Sequence, residues 1–178
     1  MIQISGHFGT GRIAFSPMPC SSGRWAATNG LGTFEYRSLS QVDSTAAAYD
    51  EISALYGARV TGGSIIRAKL DRSHPICFGY EREELPVFKN NNYVLIPSKL
   101  QFKNPVVYSA DPLWSGYLHV INGELFSGGG AVQVASFGKG RIINFADDPN
   151  FRAFWYGTNR LFANALFFGN LVSTQAAN

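Results

Sequence analysis

A chain of 178 residues, 46% hydrophobic and 15% charged, has the size of one domain and is too apolar to stay disordered. Its net charge of +3 comes from basic residues spread singly between Arg12 and Arg160, which argues against a nucleic-acid face. No run of 18 apolar residues occurs, so no membrane span is predicted, and residues 1–7 lack the basic start and apolar run of a signal peptide.

The first predicted element is a short strand at Ile13-Ala14-Phe15, followed by a helix from about Ser21 to Asn29 that Gly30 stops. A second helix is expected from Asp43 or Ser44, either of which can cap it, through Ala46, Ala47, Ala48, Ile52 and Leu55 to Gly57. Ile66, Ala68 and Leu70 alternate with Arg67 and Lys69, the period of a strand with one wet face. Leu85–Phe88 and Tyr93–Ile96 read as short strands around the polar turn Lys89-Asn90-Asn91-Asn92. Residues 97–130, broken by Pro97, Pro105, Pro112 and Gly128-Gly129-Gly130, read mostly as loop. Ala131–Phe137 and Arg141–Phe145 flank Gly138-Lys139-Gly140, a hairpin signature in which glycine supplies positive φ. A terminal helix over about 151–168 follows, with Phe151, Phe154, Trp155, Thr158, Phe162, Ala165 and Leu166 on one face, of which Phe151, Phe154, Trp155, Phe162 and Leu166 are expected to be buried against the sheet, and Gly169 ending it. Strands alternating with helices predict one α/β domain over 1–178.

Chemistry-bearing motifs are sparse. The three histidines, His7, His74 and His119, are followed three residues later by Thr10, Cys77 and Asn122, so no His-x-x-Glu pair exists. His74 with Cys77 has tolerable spacing for zinc, but no partner cluster follows. Cys20 lies between a predicted strand and a predicted helix, the setting of a nucleophile elbow, with His74 or His119 as a candidate base. Its neighbours two residues away are Met18 and Ser22 rather than glycine, and an unreactive apolar role suits it better. Pairing between Cys20 and Cys77 stays open.

Asp147 and Asp148 stand at the end of a strand, where ligands bind in open α/β sheets. Capping of the next helix by one of them, with the other facing water or Arg152, explains the same residues more simply. Gly9-x-Gly11 lacks the third glycine of a dinucleotide fingerprint, and no P-loop occurs. Trp114, in Pro112-Leu113-Trp114-Ser115-Gly116-Tyr117, is expected in a loop as an interface or ligand residue.

Four segments carry a family resemblance: Thr61–Asp71, Ser73–Tyr80, Asp111–Tyr117 and Phe145–Phe162. In order and spacing they resemble the region after the catalytic domain in bacterial zinc carboxypeptidase-like proteins, a class I glutamine amidotransferase-like domain. The likeness is best over 57–170, loose over 20–56 and poor over 1–19. It implies a flavodoxin-like three-layer sheet with a C-terminal hairpin and helix, shortened at the N-terminus. It also implies a non-catalytic accessory domain that packs on or assists a peptidase domain. The zinc and its His-x-x-Glu ligands are expected only in that upstream domain, so no cofactor, metal ligand or peptidase activity is expected in this chain. The resemblance further implies a periplasmic or extracellular location. The competing expectation is a free-standing acyl-transfer enzyme that uses Cys20.

Overall fold

The computed structural model describes residues 6–8, 11–16, 34–37, 39, 47–137 and 140–173. Its strands are β1 (Gly6–Phe8), β2 (Gly11–Ser16), β3 (Tyr36–Arg37), β4 (Ser64–Leu70), β5 (Glu84–Lys89), β6 (Val94–Leu95), β7 (Val106–Gly116), β8 (Gly130–Phe137) and β9 (Gly140–Phe145). The α-helices among these residues are α1 (Ile52–Gly57), α2 (Val120–Phe126) and α3 (Tyr156–Phe168). The predicted helix at 21–29, the caps at Asp43 and Ser44, and the turn residues Gly138 and Lys139 lie outside the described residues.

The fold is mixed α/β. Seven strands run in the order β1-β2-β9-β8-β7-β4-β5, and β6 bridges β3 to β8. Among the described strands only β2 and β9 pair in parallel, with Ile13 opposite Arg141 and Phe15 opposite Ile143. The expected flavodoxin-like sheet would be parallel through its centre, whereas β5, β4, β7, β8 and β9 are all antiparallel neighbours. The antiparallel pair β8–β9 joins strands adjacent in sequence, as a short connection can, whereas parallel pairs need long crossovers.

Burial follows the alternation read from the sequence. In β4, Ile66, Ala68 and Leu70 are buried while Arg67 and Lys69 are less so. Leu85 and Val87 of β5 continue this face, and Val106, Val132, Val134, Ile143 and Phe145 extend it across the sheet. Leu161 and Ala165 of α3 close over it, together with Ile76 and Cys77 from the 3₁₀ turn Pro75–Cys77. The opposite face of β9 carries Ile142, which joins Phe34, Leu95 and Ala146 in a second, smaller cluster. β9 is therefore packed on both sides, which explains why Ile142 and Ile143 are both buried although they point to opposite faces.

Three predicted elements differ from the observed ones. Residues 97–130 contain the longest strand, β7, and helix α2 rather than mostly loop. Pro105 precedes β7, and Pro112 sits in an irregular stretch of it, so neither removes a needed ladder bond. Gly129 stands immediately before β8: a Cβ there would run into the Val94 side chain, so glycine lets β6 approach the start of β8.

The terminal helix starts at Tyr156, not 151. Phe151–Ala153 form a separate 3₁₀ turn in which Arg152 and Ala153 have φ of 48° and 56°. Two left-handed residues cannot continue a right-handed helix. The buried face overlaps the expected one only in part: Thr158 and Ala165 are buried as their spacing implies, but Leu161 and Asn164 join them, Phe162 and Leu166 are half-buried, and Phe154 is exposed. Helix α1 spans Ile52–Gly57 alone and buries none of its residues; Ala47 and Ala48 lie before it.

Candidate functional site

The strand-end aspartates separate sharply in role. Asp148 Oδ1 accepts the Asn150 N–H at 2.9 Å, a local turn, and α3 has no side-chain cap. Asp147 is buried and meets Lys89, which is 0% exposed. Lys89 Nζ donates to Asp147 Oδ1 at 2.7 Å, to the Tyr93 carbonyl at 2.8 Å and to the Tyr108 hydroxyl at 3.1 Å, with Asn91 Oδ1 at 3.2 Å. The Tyr108 hydroxyl in turn donates to Asp147 Oδ2. Asp147 is thus an ion-pair partner rather than a helix cap. Arg152 is engaged elsewhere, its guanidinium 5.2 Å from the centre of the Phe151 ring.

Burial pulls the Lys89 ammonium below its ordinary range, and the carboxylate of Asp147 opposes that shift. Burial, then the charge of Asp147, pushes the Tyr108 phenol well up. An ammonium has three protons to give, and the neighbours present account for them. The cluster ties together the end of β5, the strand β7 and the residues leaving β9. Beside it lies an apolar cleft lined by Val87, Val132, Phe145, Asp147 and Thr158, of roughly 10 Å³, room for about one water.

Sequence reading placed Lys89 in a polar turn and gave Tyr108 no role. A signal was present: Leu85, Val87 and Lys89 share one period-two face, so extending the strand by a single residue turns the lysine inward.

Trp114 lies in strand β7 rather than in a loop, and is 45% exposed. The pairing of β7 with β4 is broken twice. Ile65 faces Ser115 and Ile66 faces Leu113, which leaves Trp114 as an extra residue. Ala68 then faces Tyr108, so Ser109–Pro112 all bulge opposite Arg67. Arg67 answers the bulge: its guanidinium sits 5.2 Å from the Trp114 ring centre, with Nη1 3.6 Å from Asp111 Oδ2. Between the bulge and α2 runs an open groove of about 310 Å³, lined by Asp111, Leu113, Leu118, His119, Val120 and Glu124 among others. Bulges of this kind re-aim side chains and cluster at binding sites.

His74 is buried and positions a turn. Its Nδ1 accepts the Ile76 N–H at 3.2 Å, capping Pro75–Cys77. The ring proton is then on Nε2, which has no hydrogen-bond partner among the described residues. Burial lowers the His74 pKa from the ordinary 6.5, with the Asp71 carboxylate acting against it. The same turn is gripped from α3, where Asn164 Nδ2 donates to the carbonyls of Ile76 and Phe78, each at 2.8 Å. Cys77 is buried, its thiol 3.4 Å from the Pro105 carbonyl and pushed up to about 12 chiefly by burial. A thiol held protonated is no nucleophile at neutral pH. Cys20 lies outside the described residues.

No group of three or more His, Cys, Asp or Glu placed to hold a metal occurs among the described residues. No helix among them is long and apolar enough to cross a membrane. No family model, curated protein or solved structure matches this chain, and nothing in those comparisons links it to a carboxypeptidase-associated domain.

Proposed function

We propose that this chain is a non-catalytic accessory module that packs on or assists a zinc carboxypeptidase-type peptidase domain, as the resemblance of its four segments implies. The observation that supports a docking role best is an apolar end on α3. Phe78, Phe167 and Leu171 are 65%, 77% and 65% exposed, and the Phe78 ring meets Phe168 edge-on at 5.3 Å. Phe167 stands in the last turn of α3 and Leu171 ends the 3₁₀ turn Gly169–Leu171 that follows it, so both lie at the C-terminal end of this element. Large apolar side chains grouped in this way mark association surfaces more often than they mark solvent-facing ones. The chemistry of the interior points the same way: Lys89, Asp147 and Tyr108 hold one another, and Cys77 is sequestered.

This proposal does not require the flavodoxin-like sheet that the resemblance also implies, whose parallel order differs from that of β4, β5, β7, β8 and β9. An exported location remains part of the proposal, following the resemblance alone.

The test has two parts. The coding sequence next to this chain should carry a peptidase frame with a His-x-x-Glu ligand pair. Its purified product should bind this chain in titration calorimetry, and Phe167→Asp with Leu171→Asp should abolish that binding. A missing frame, or binding that ignores both substitutions, overturns the proposal.

A further inference from the structure

Along its second half, β7 is held on one side. Near its start it pairs with β8 at Val106 and Val107, and the Tyr108 N–H donates to the Gly129 carbonyl at 2.7 Å. There β8 runs out, because Gly130, its first residue, already faces Val107. From Leu113 to Gly116 the strand pairs with β4, and no other strand among the described residues lies on its far side. The groove of about 310 Å³ is lined by Ala110–Leu113 of β7, by α2 and its flanks and by none of β4, so it runs beside the bulge and meets this edge at Leu113.

An edge of unpaired backbone groups is a template for an extended peptide, and the flanking pockets select its side chains. Here the walls are mostly apolar, with Leu113, Leu118 and Val120, and two carboxylates stand on them. The bulge at Ser109–Pro112 carries Asp111 outward, where its side chain is 83% exposed and reaches Arg67 at 3.6 Å. Glu124 has no ion-pair partner among the described residues. The Nδ1 of His119, the remaining ionisable group of the lining, faces the Ile121 N–H at 3.4 Å. The lining therefore carries two carboxylates, Asp111 shared with Arg67 and Glu124 without an ion-pair partner among the described residues, and no Lys or Arg, on a chain whose net charge is +3.

We infer that this groove binds an extended peptide segment bearing Lys or Arg, its backbone added along Leu113–Gly116 and its cations set against Asp111 and Glu124. The aliphatic stems of such side chains suit apolar walls while their heads stay at the wet rim. The site is separate from the apolar end of α3, and binding at it requires no peptidase.

The test uses the purified full chain and a fluorescein-labelled, end-blocked decapeptide of alternating Lys and Val, followed by fluorescence anisotropy. A Glu-Val decapeptide is the control; attraction by net charge alone would favour it, since the chain is positive. Saturable binding of the Lys-Val peptide alone is expected. Asp111→Asn with Glu124→Gln should weaken it about tenfold, because both carboxylates are exposed and their neutralisation leaves the core untouched. A Lys-Val peptide N-methylated at alternate residues keeps its charge but loses backbone donors, and should also bind about tenfold less tightly. No binding of the Lys-Val peptide, equal binding of the Glu-Val peptide, or an unchanged affinity in the double variant overturns the inference. Undiminished binding of the N-methylated peptide overturns it as well.

Discussion

Lys89 and Asp147, 58 residues apart in sequence, meet at 2.7 Å in a place where neither reaches solvent appreciably. Desolvating both charges is costly, and their mutual attraction offsets that cost only while both are present. Lys89→Met should therefore destabilise the fold by about 3–5 kcal/mol, by leaving the Asp147 carboxylate buried and unpaired. Replacing the whole cluster, with Lys89→Met, Tyr108→Phe and Asp147→Leu together, should recover most of that loss. Urea unfolding of the two variants is the check; a single variant within about 1 kcal/mol of the parent would show the pair to be dispensable.

Acid should loosen the turn that His74 caps. Burial lowers its folded-state pKa below the ordinary 6.5, so between those two values the unfolded chain binds the extra proton. Stability then falls as pH drops below about 6.5, by up to about 1.4 kcal/mol per pH unit, and levels off below the folded pKa. His74→Asn keeps a capping oxygen but does not titrate. Its melting temperature, compared with that of the parent from pH 8 to pH 5, should show a difference that appears only on the acid side. Parallel curves would contradict the assignment.

Cys77 should resist alkylation. With its thiol buried and pushed up to about 12, iodoacetamide at pH 7.5 should leave it unmodified in the native chain and label it readily in urea. Peptide mapping by mass spectrometry resolves this site directly. Native labelling as fast as in urea would place the thiol in solvent.

On α3 the burial of Leu161 in preference to Phe162 has an energetic signature. Leu161→Ala should cost about 2–5 kcal/mol, as for a fully enclosed leucine. Phe162, half-buried and meeting Phe145 edge-on at 6.3 Å, should lose less on truncation, about 1–3 kcal/mol. The reverse order in denaturant titrations would restore the face predicted from spacing.

The parts of this fold that could be read in advance are those where one residue type repeats with the period of its element. Ile66-Arg67-Ala68-Lys69-Leu70 and the β8–β9 pair are of that kind. Strand β7 was hidden because Pro112 and Gly116 look like loop residues until Ser109–Pro112 is known to bulge. The start of α3 was hidden because Arg152 and Ala153 adopt a backbone shape their side chains do not advertise. Asp147 reads from its neighbours as a helix cap or a strand-end ligand residue, and its partner in the structure, Lys89, sits in a stretch whose Asn residues suggest water. The groove beside Trp114 depends on the register of β7 against β4, and register between distant strands leaves no local trace.

The seam between β2 and β9 has a consequence for how the chain reaches this structure. Ile13 must find Arg141 across an intervening stretch on the order of a hundred residues, whereas β8 and β9 are neighbours in sequence, with Phe137 facing Gly140. Contacts that close so long a loop return their energy only after much chain entropy is lost, so they set a slow pace. The hairpin supplies the edge on which that closure happens. During synthesis and refolding alike, β9 therefore waits with one side uncovered until the start of the chain returns to it.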